Sequence, residues 1–320
     1  MPDRVTIREV GPRDGLQMLG QVMPTATKID WITRQARAGF SEIEVTSFVP
    51  PKLLPQFADA AEVTAAANQV PTLTATALAL NLKGGIRALQ AGAPVVNFVV
   101  SASEAHSHSN VRCSTDAALA TFRDLLDWGA RHAPHSRIQA AIATAFGCSL
   151  QGGVPVARVC AIAAELAEAG AEELSLADTV GYANPVQVTR MFRVVAAVVG
   201  DRPLAAHFHD TRGMGLANVV AALDCGVRKF DAALAGLGGC PFAPGATGNI
   251  ATEDTVYMLE SMGMRTGVDI DALLQLRRDF AHFLPDQPLQ GRLAQAGVAR
   301  TFLSPVQRTP PQLANVPGPA

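Results

Sequence analysis

Two histidines separated by one residue, His207 and His209 in "HFHDT", form the pair in this chain best suited to chemistry. If "PLAAHFH" (203–209) is a strand, its period of two sends both imidazoles to the same face, which suggests a metal. Asp14 in "GPRDG" and Asn249, which closes "GLGGCPFAPGATGN", would add a carboxylate and an amide oxygen. Two nitrogens and two oxygens, with room for substrate or water, suit a divalent cation acting as a Lewis acid. Mg2+ or Mn2+ comes first, ahead of Zn2+ or Co2+. The plainer alternatives are that one histidine only hydrogen-bonds inside a core and that Asp14-Gly15 is a simple turn.

Four further residues read as chemical candidates. Arg13 is a cation that could neutralise an enolate or carboxylate beside the metal, or could form a surface salt bridge. Glu44 in "EIEVTSF" lies in a strand, where a buried carboxylate is costly unless Arg13 or a metal-bound water pairs with it. Asp178 in "SLADTVG" is either a site carboxylate or a cap for the helix beginning near Asn184. Cys240 sits among glycines, with Pro241 and Pro244 limiting the loop to a few shapes, as a mobile lid requires. Its thiol could exchange a proton with substrate. A nucleophilic role would need an activating histidine, which only His207 could supply through space, and an inert structural cysteine is the remaining reading. A second HxH, His106 and His108 in "SEAHSHSN", is expected in a loop, where the spacing fixes no common face. These two are placed at a substrate entrance rather than on the metal. Asp210 is expected to point outward or to cap the next helix.

Eight β-rich runs must position these residues: 5–10, 42–46, 72–78, 95–100, 138–143, 172–177, 203–209 and 229–235. Helix-length stretches lie between them, such as "TATKIDWITRQARAG" and "PVARVCAIAAELAEAG", with apolar residues recurring at three and four and with Gly39 and Gly170 as stops. Eight such units predict a TIM (β/α)8 barrel. A doubly wound sheet would show five or six units and a glycine-rich phosphate turn after the first strand, which "EVGPRDG" is not. In a barrel the active site forms at the C-terminal ends of the strands. Arg13 and Asp14 follow the first strand, Glu44 and Thr46 end the second, Asp178 follows the sixth, His207 and His209 close the seventh, and the Cys240–Asn249 loop follows the eighth. Residues 1–303 are expected to form one domain, with extra helices beyond about residue 250 and a proline-rich, disordered tail at 304–320.

Composition narrows the class of function. The 320 residues are 48% hydrophobic and carry a formal net charge of −2, enough apolar material for one large core. No apolar run is long enough to cross a bilayer, and "MPDRVTIREV" lacks the regions of a signal peptide, so a cytoplasmic protein is expected. Five cysteines without a CxxC pair argue against a disulfide framework or a structural zinc site. The absence of a basic block argues against nucleic acid as a partner. Small-molecule chemistry remains.

With these residues in view, the chain resembles the hydroxymethylglutaryl-CoA lyase family, metal-dependent TIM-barrel lyases, from about residue 5 to 270. "EVGPRDGLQ", "EVTSFVPPK", "SLADTVG", "HFHDT" and "GLGGCPFAPGATGNIATED" carry the resemblance in order. Isopropylmalate synthase-like enzymes share the aspartate and the HxH but not the cysteine loop. The resemblance implies that Asp14, His207, His209 and Asn249 bind a divalent metal and that Arg13 stabilises a carbonyl or enolate. It further implies that Glu44 and Asp178 support acid and base steps, that His207 or a carboxylate takes the hydroxyl proton, and that Cys240 takes part in proton transfer. The implied substrate is a 3-hydroxy acyl-CoA, cleaved between C2 and C3, and the implied assembly is a homodimer. Two stretches, "MLGQV" and "ASEAHSHSNVRCS", depart from the family's usual cationic residues near the CoA chain. Citramalyl-CoA or a longer 3-alkylglutaryl-CoA is therefore an alternative substrate, and a related aldolase or condensing reaction an alternative activity.

Overall fold

The computed structural model describes residues 3–239, 248–284 and 287–303. Eight parallel strands close on themselves in sequence order. They are β1 (Thr6–Glu9), β2 (Glu42–Ser47), β3 (Thr74–Ala79), β4 (Val95–Ser101), β5 (Arg137–Ala143), β6 (Leu174–Asp178), β7 (Leu204–Phe208) and β8 (Lys229–Ala232). β8 returns to β1 with Thr6 opposite Lys229 and Glu9 opposite Ala232, so the sheet has no open edge. This is the TIM barrel expected from the eight runs.

The helices around the barrel follow their apolar stripes. They are α1 (Thr25–Arg37), α2 (Ala60–Ala67), α3 (Leu82–Gln90), α4 (Glu104–Val111), α5 (Thr115–His132), α6 (Val156–Ala169), α7 (Pro185–Val199) and α8 (Gly215–Asp224). In α6 the buried residues are Val159, Ile162, Ala163, Leu166 and Ala167, one face at helical spacing. α7 starts with a reciprocal cap between Asn184 and Gln187, and Pro185 occupies its first turn. Gly39 ends the turn after α1 at φ 106, and a Cβ there would lie 2.1 Å from the Gly267 carbonyl oxygen, so no other residue fits. Beyond the barrel come α9 (Thr252–Ser261), α10 (Ile270–Phe280) and the short α11 (Leu293–Ala296). The Trp31 and Phe280 rings, 4.6 Å apart, pack α10 onto α1. Among the described residues no helix is long and apolar enough to cross a membrane.

One local expectation changes. His106 and His108 lie on helix α4 rather than in a loop. The segment has no apolar stripe to announce a helix; the Ser103 side chain caps it by accepting from the His106 N–H at 3.2 Å. Thr46 stands near the end of β2, as expected, but does not line the cavity. β2 bulges between Glu44 and Thr46, which shifts the alternation by one and turns Ser47 to the cavity instead. The expected tail at 304–320 and Cys240 both lie outside the described residues.

Candidate active site

Immediately after β1 the chain makes one wide helical turn, Gly11–Gly15, in which the Arg13 and Asp14 N–H groups both donate to the Val10 carbonyl. The turn buries Arg13 and Asp14 at the C-terminal end of the barrel. Across the mouth, His209 pairs in a short antiparallel bridge with Asn249, which brings the far end of the glycine-rich loop back against β7. Asn249 then donates its amide N–H to Asp14 Oδ2 at 2.6 Å and to the Leu237 carbonyl at 2.9 Å. Gly238, at φ 112, roofs this pair; a Cβ there would lie 2.6 Å from Asn249 Nδ2 and 3.1 Å from Asp14 Oδ2. Only glycine leaves that space open.

One ligand atom from each of Asp14, His207 and His209 lies within 4.8 Å of the other two, and all three residues are buried. The donors that a cation would use are available. Among the described residues, the buried His209 Nδ1 and Asn249 Oδ1 have no hydrogen-bond partner. His207 engages Asp231 Oδ2 through Nδ1 at 3.2 Å, so its Nε2 is the atom left for the cluster. A buried atom with no partner costs about 1–3 kcal/mol, which a bound cation would relieve. The residues therefore fit a divalent ion of mixed nitrogen and oxygen preference.

The charges around the cluster are tightly cross-linked. Arg13 bonds Glu44 through Nε and Asp14 Oδ1 through Nη1, the latter at 2.6 Å. Asn97 donates to the other Glu44 oxygen at 2.9 Å, and Gln17 donates to Asp14 Oδ1 at 2.8 Å. Burial, the largest single influence on Asp14, opposes its charge. The Arg13 guanidinium and the two histidines outweigh it and hold the carboxyl well below the usual carboxylate range. His207 is likewise opposed by burial, yet the bond to Asp231 and the charges of Asp231 and Asp14 raise its pKa. Asp178 goes the other way. Burial pushes its pKa up, against the N–H groups of Tyr182 and Ala183, which donate to its two oxygens at 2.8 and 3.0 Å. It thus braces the loop after β6, while Asn184 itself caps α7.

A cavity of about 620 Å³ opens from the cluster, with Asp14, His207 and His209 in its wall. On β4, β5 and β6 its lining is Asn97, Val99, Ala141, Ala143, Ser175 and Ala177, and Arg112 also lines it. Gly239, the last described residue before Cys240, also lines it. His106 reaches the wall, hydrogen-bonded to Ser101 Oγ at 2.8 Å, whereas His108 is exposed and pairs with Glu104 at 3.2 Å. The expected entrance role therefore suits His106 alone. Asp210 caps α8 by accepting from the Gly215 N–H at 2.7 Å.

Of the residues singled out in the sequence, the fold brings Arg13, Asp14, Glu44, His207, His209 and Asn249 into one connected group. Asp178 stands beside it, close enough for the charges of His209 and His207 to oppose, without reversing, the upward push of burial on its pKa. Sequence reasoning passed over Asp231 and Arg8. The signal was present: "KFDAALA" places an acid in the middle of an apolar strand, where it must find a buried partner.

A family model described as HMGL-like matches residues 4–280. The chain is 43% identical over 273 residues to the hydroxymethylglutaryl-CoA lyase YngG of Bacillus subtilis, covering 85% of this chain and 91% of that protein. It is also 43% identical over 274 residues to a 3-hydroxy-3-isohexenylglutaryl-CoA/hydroxymethylglutaryl-CoA lyase of Pseudomonas aeruginosa, covering 86% of this chain and 91% of the relative. Among solved structures, an HMG-CoA lyase from Acinetobacter baumannii in complex with coenzyme A and 3-methylmalate superposes with a TM-score of 0.88 at 41% identity. The match covers 94% of this chain and 97% of that one. With the family model spanning most of its length, the chain belongs to the HMGL-like family of lyases.

Proposed function

We propose that this protein is a divalent-metal-dependent 3-hydroxy-3-methylglutaryl-CoA lyase that forms acetyl-CoA and acetoacetate. The observation that carries the reading is the convergence of Asp14, His207 and His209 on one point of a substrate-sized cavity, with the Arg13 guanidinium bonded to the same aspartate. Asp14, His207, His209 and Asn249 Oδ1 would hold Mg2+ or Mn2+, which would supply Lewis acidity toward the oxygens of the substrate.

The chain's own groups account for the remaining demands. Arg13, fixed by Glu44 and Asp14, presents a rigid positive charge where negative charge develops on oxygen, and it need not reorganise during the reaction. His207 has one ring nitrogen bound to Asp231, which would leave the other for the metal; the hydroxyl proton passes to a base at the cluster, His207 or a carboxylate, while Asp178 supports the site from the loop it holds after β6. As that proton leaves, the C2–C3 electron pair passes to C2, C3 becomes the ketone carbon, and the thioester fragment becomes an enolate. Cys240 is assigned the proton that C2 then takes up, from a loop whose last described residue before it lines the cavity. Glu44 keeps Arg13 oriented. The reading also includes action in the cytoplasm, as a homodimer, on an acyl-CoA thioester.

A second substrate is favoured by the small side chains of Ala141, Ala143 and Ala177 in the cavity lining, which leave room for a longer substituent at C3. The Pseudomonas relative is named for such a substrate. A mass-spectrometric cleavage assay with Mg2+ or Mn2+ separates the two readings. The panel is 3-hydroxy-3-methylglutaryl-CoA, citramalyl-CoA and longer 3-alkyl analogues, with chelator controls. Chelator-sensitive release of acetyl-CoA and acetoacetate from the first supports the proposal. Cleavage of only the longer thioesters moves the substrate, and no cleavage by metal-loaded protein refutes the lyase reading. Cys240→Ala should lower turnover while Mn2+ stays bound, as titration calorimetry would record.

A further inference from the structure

Strand register places three charged or polar residues side by side on neighbouring strands. Arg8 on β1 is the direct partner of Asp231 on β8, and Asp231 is the direct partner of His207 on β7. The Arg8 guanidinium is fully buried and grips the carboxylate like a fork, Nε to Oδ1 at 2.7 Å and Nη2 to Oδ2 at 3.1 Å. Glu173 holds it from the other side, 3.4 Å from Nη1, and Lys229 neutralises Glu173 at 2.6 Å. Asp231 Oδ2 is also the atom that His207 Nδ1 meets at 3.2 Å.

We infer that Asp231 is a positioning residue whose carboxylate, kept acceptor-only by the Arg8 fork, fixes the proton of neutral His207 on Nδ1 and so presents the Nε2 lone pair to the metal. The inference rests on the metal-site reading above. An ionised carboxylate has no proton to donate, so the imidazole nitrogen facing it must be the N–H. The tautomer is thereby decided by a strand on the far side of Asp231, before any cation arrives. An orienting partner of this kind typically governs 10–100-fold in metal affinity.

Asp231→Asn reverses the arrangement without changing its size. Arg8 Nε claims the single amide oxygen, which turns the NH2 group toward His207 Nδ1. That nitrogen must then accept, so the proton moves to Nε2 and blocks the lone pair.

The test begins with long-range ¹H–¹⁵N correlation spectra of the metal-free, full-length protein at a pH where the ring is neutral, with His207→Gln to assign the resonance. The wild type should show a protonated Nδ1 and a bare Nε2; the opposite tautomer overturns the proposal, whether or not any variant folds. In Mn2+ titrations, Asp231→Asn should bind about 10–100-fold more weakly. Adding Arg8→Met frees the amide oxygen to turn toward Nδ1, and affinity should recover part of that loss. Unchanged Mn2+ affinity in Asp231→Asn overturns the proposal, as does a double variant that binds more weakly than the single one, the result expected of a purely structural pair. If the wild type binds no Mn2+, the metal reading falls and takes this inference with it. Wild-type binding together with the wrong tautomer removes the inference alone.

Discussion

The two sides of the barrel mouth are built on opposite principles. On the side of β1, β2, β7 and β8, the charged groups are tied to one another, Arg13 to Glu44 and Asp14, Asn249 to Asp14, His207 to Asp231 and Asp231 to Arg8, and the atoms left over, His209 Nδ1 and Asn249 Oδ1, are those a cation would use. On the side of β4, β5 and β6, apart from Asn97, which bonds Glu44, the cavity lining is Val99, Ala141, Ala143, Ser175 and Ala177, side chains that are small and mostly apolar. One side achieves preorganisation through bonds; the other achieves space through the absence of side-chain atoms. The two should therefore fail differently. Damage to the first lowers turnover, and at the metal-binding residues the metal affinity as well, whereas damage to the second changes which substrate is accepted.

The largest effect is expected from Asp14→Asn. It keeps the shape but removes the charge that Arg13 and the histidines stabilise. Metal binding should weaken and kcat should fall by roughly 10³-fold or more, because Lewis-acid stabilisation of several kcal/mol is lost. Steady-state kinetics with parallel Mn2+ titration would show both. Activity retained at saturating Mn2+ would mean that Asp14 is only a turn residue. Arg13→Lys comes next. A lysine carries the charge but cannot hold Glu44 and Asp14 in one planar fork, so kcat should drop about 10²-fold with Mn2+ affinity nearly intact. A loss seen in KM alone would place Arg13 in binding rather than in transition-state stabilisation.

Ala143→Leu tests the other side and should be milder. Filling the wall should raise KM for 3-alkyl substrates by about tenfold per displaced methylene pair, with a smaller change for the 3-methyl thioester and none in Mn2+ affinity. Equal losses across the substrate panel would show that this wall does not set the C3 substituent.

The same contrast explains what could be read from the sequence. The eight strands and their order were legible because a closed parallel barrel gives β-rich runs separated by amphipathic helices at nearly regular spacing. The shared face of His207 and His209 followed from strand parity alone. The cavity position of Ser47 was not legible, because the bulge in β2 between Glu44 and Thr46 is a local backbone event that no periodicity announces. The α4 helix was hidden because "EAHSHSNV" has no apolar stripe, and its fold depends on the Ser103 cap. Asp231 was passed over although it is an acid in an apolar strand, because its partner Arg8 lies 223 positions away and becomes visible only when the barrel closes. The vacant wall was the least legible feature, since alanines mark a cavity only once the surrounding volume is known.

Glu9 sharpens the comparison from behind the charged side, with the smallest expected effect on turnover. Asp14 is buried against an arginine and stays ionised. Glu9 is equally buried, but its partners are neutral donors: Gly11 N–H at 2.9 Å, Leu234 N–H at 2.8 Å and the Thr252 hydroxyl at 2.6 Å. Burial, reinforced by the like charge of Glu253, outweighs these three bonds and pushes its pKa up to about 7. In the unfolded chain a glutamate titrates near 4.3, so between roughly pH 4.3 and 7 the folded protein holds a proton that the unfolded chain has released. The folded state is therefore favoured at the low end of this window, and stability falls as pH rises through it, by about 3–4 kcal/mol from this group. Glu9→Gln supplies an uncharged group of the same shape. Its oxygen can keep both backbone donors, and its NH2 can face the Thr252 oxygen. Urea unfolding of both proteins at pH 5 and pH 8 should show that the variant loses less stability across the interval, with turnover unchanged. A variant with the full wild-type slope would mean that Glu9 is ionised throughout, and that a buried carboxylate here is held by backbone N–H groups as firmly as Asp14 is held by a guanidinium.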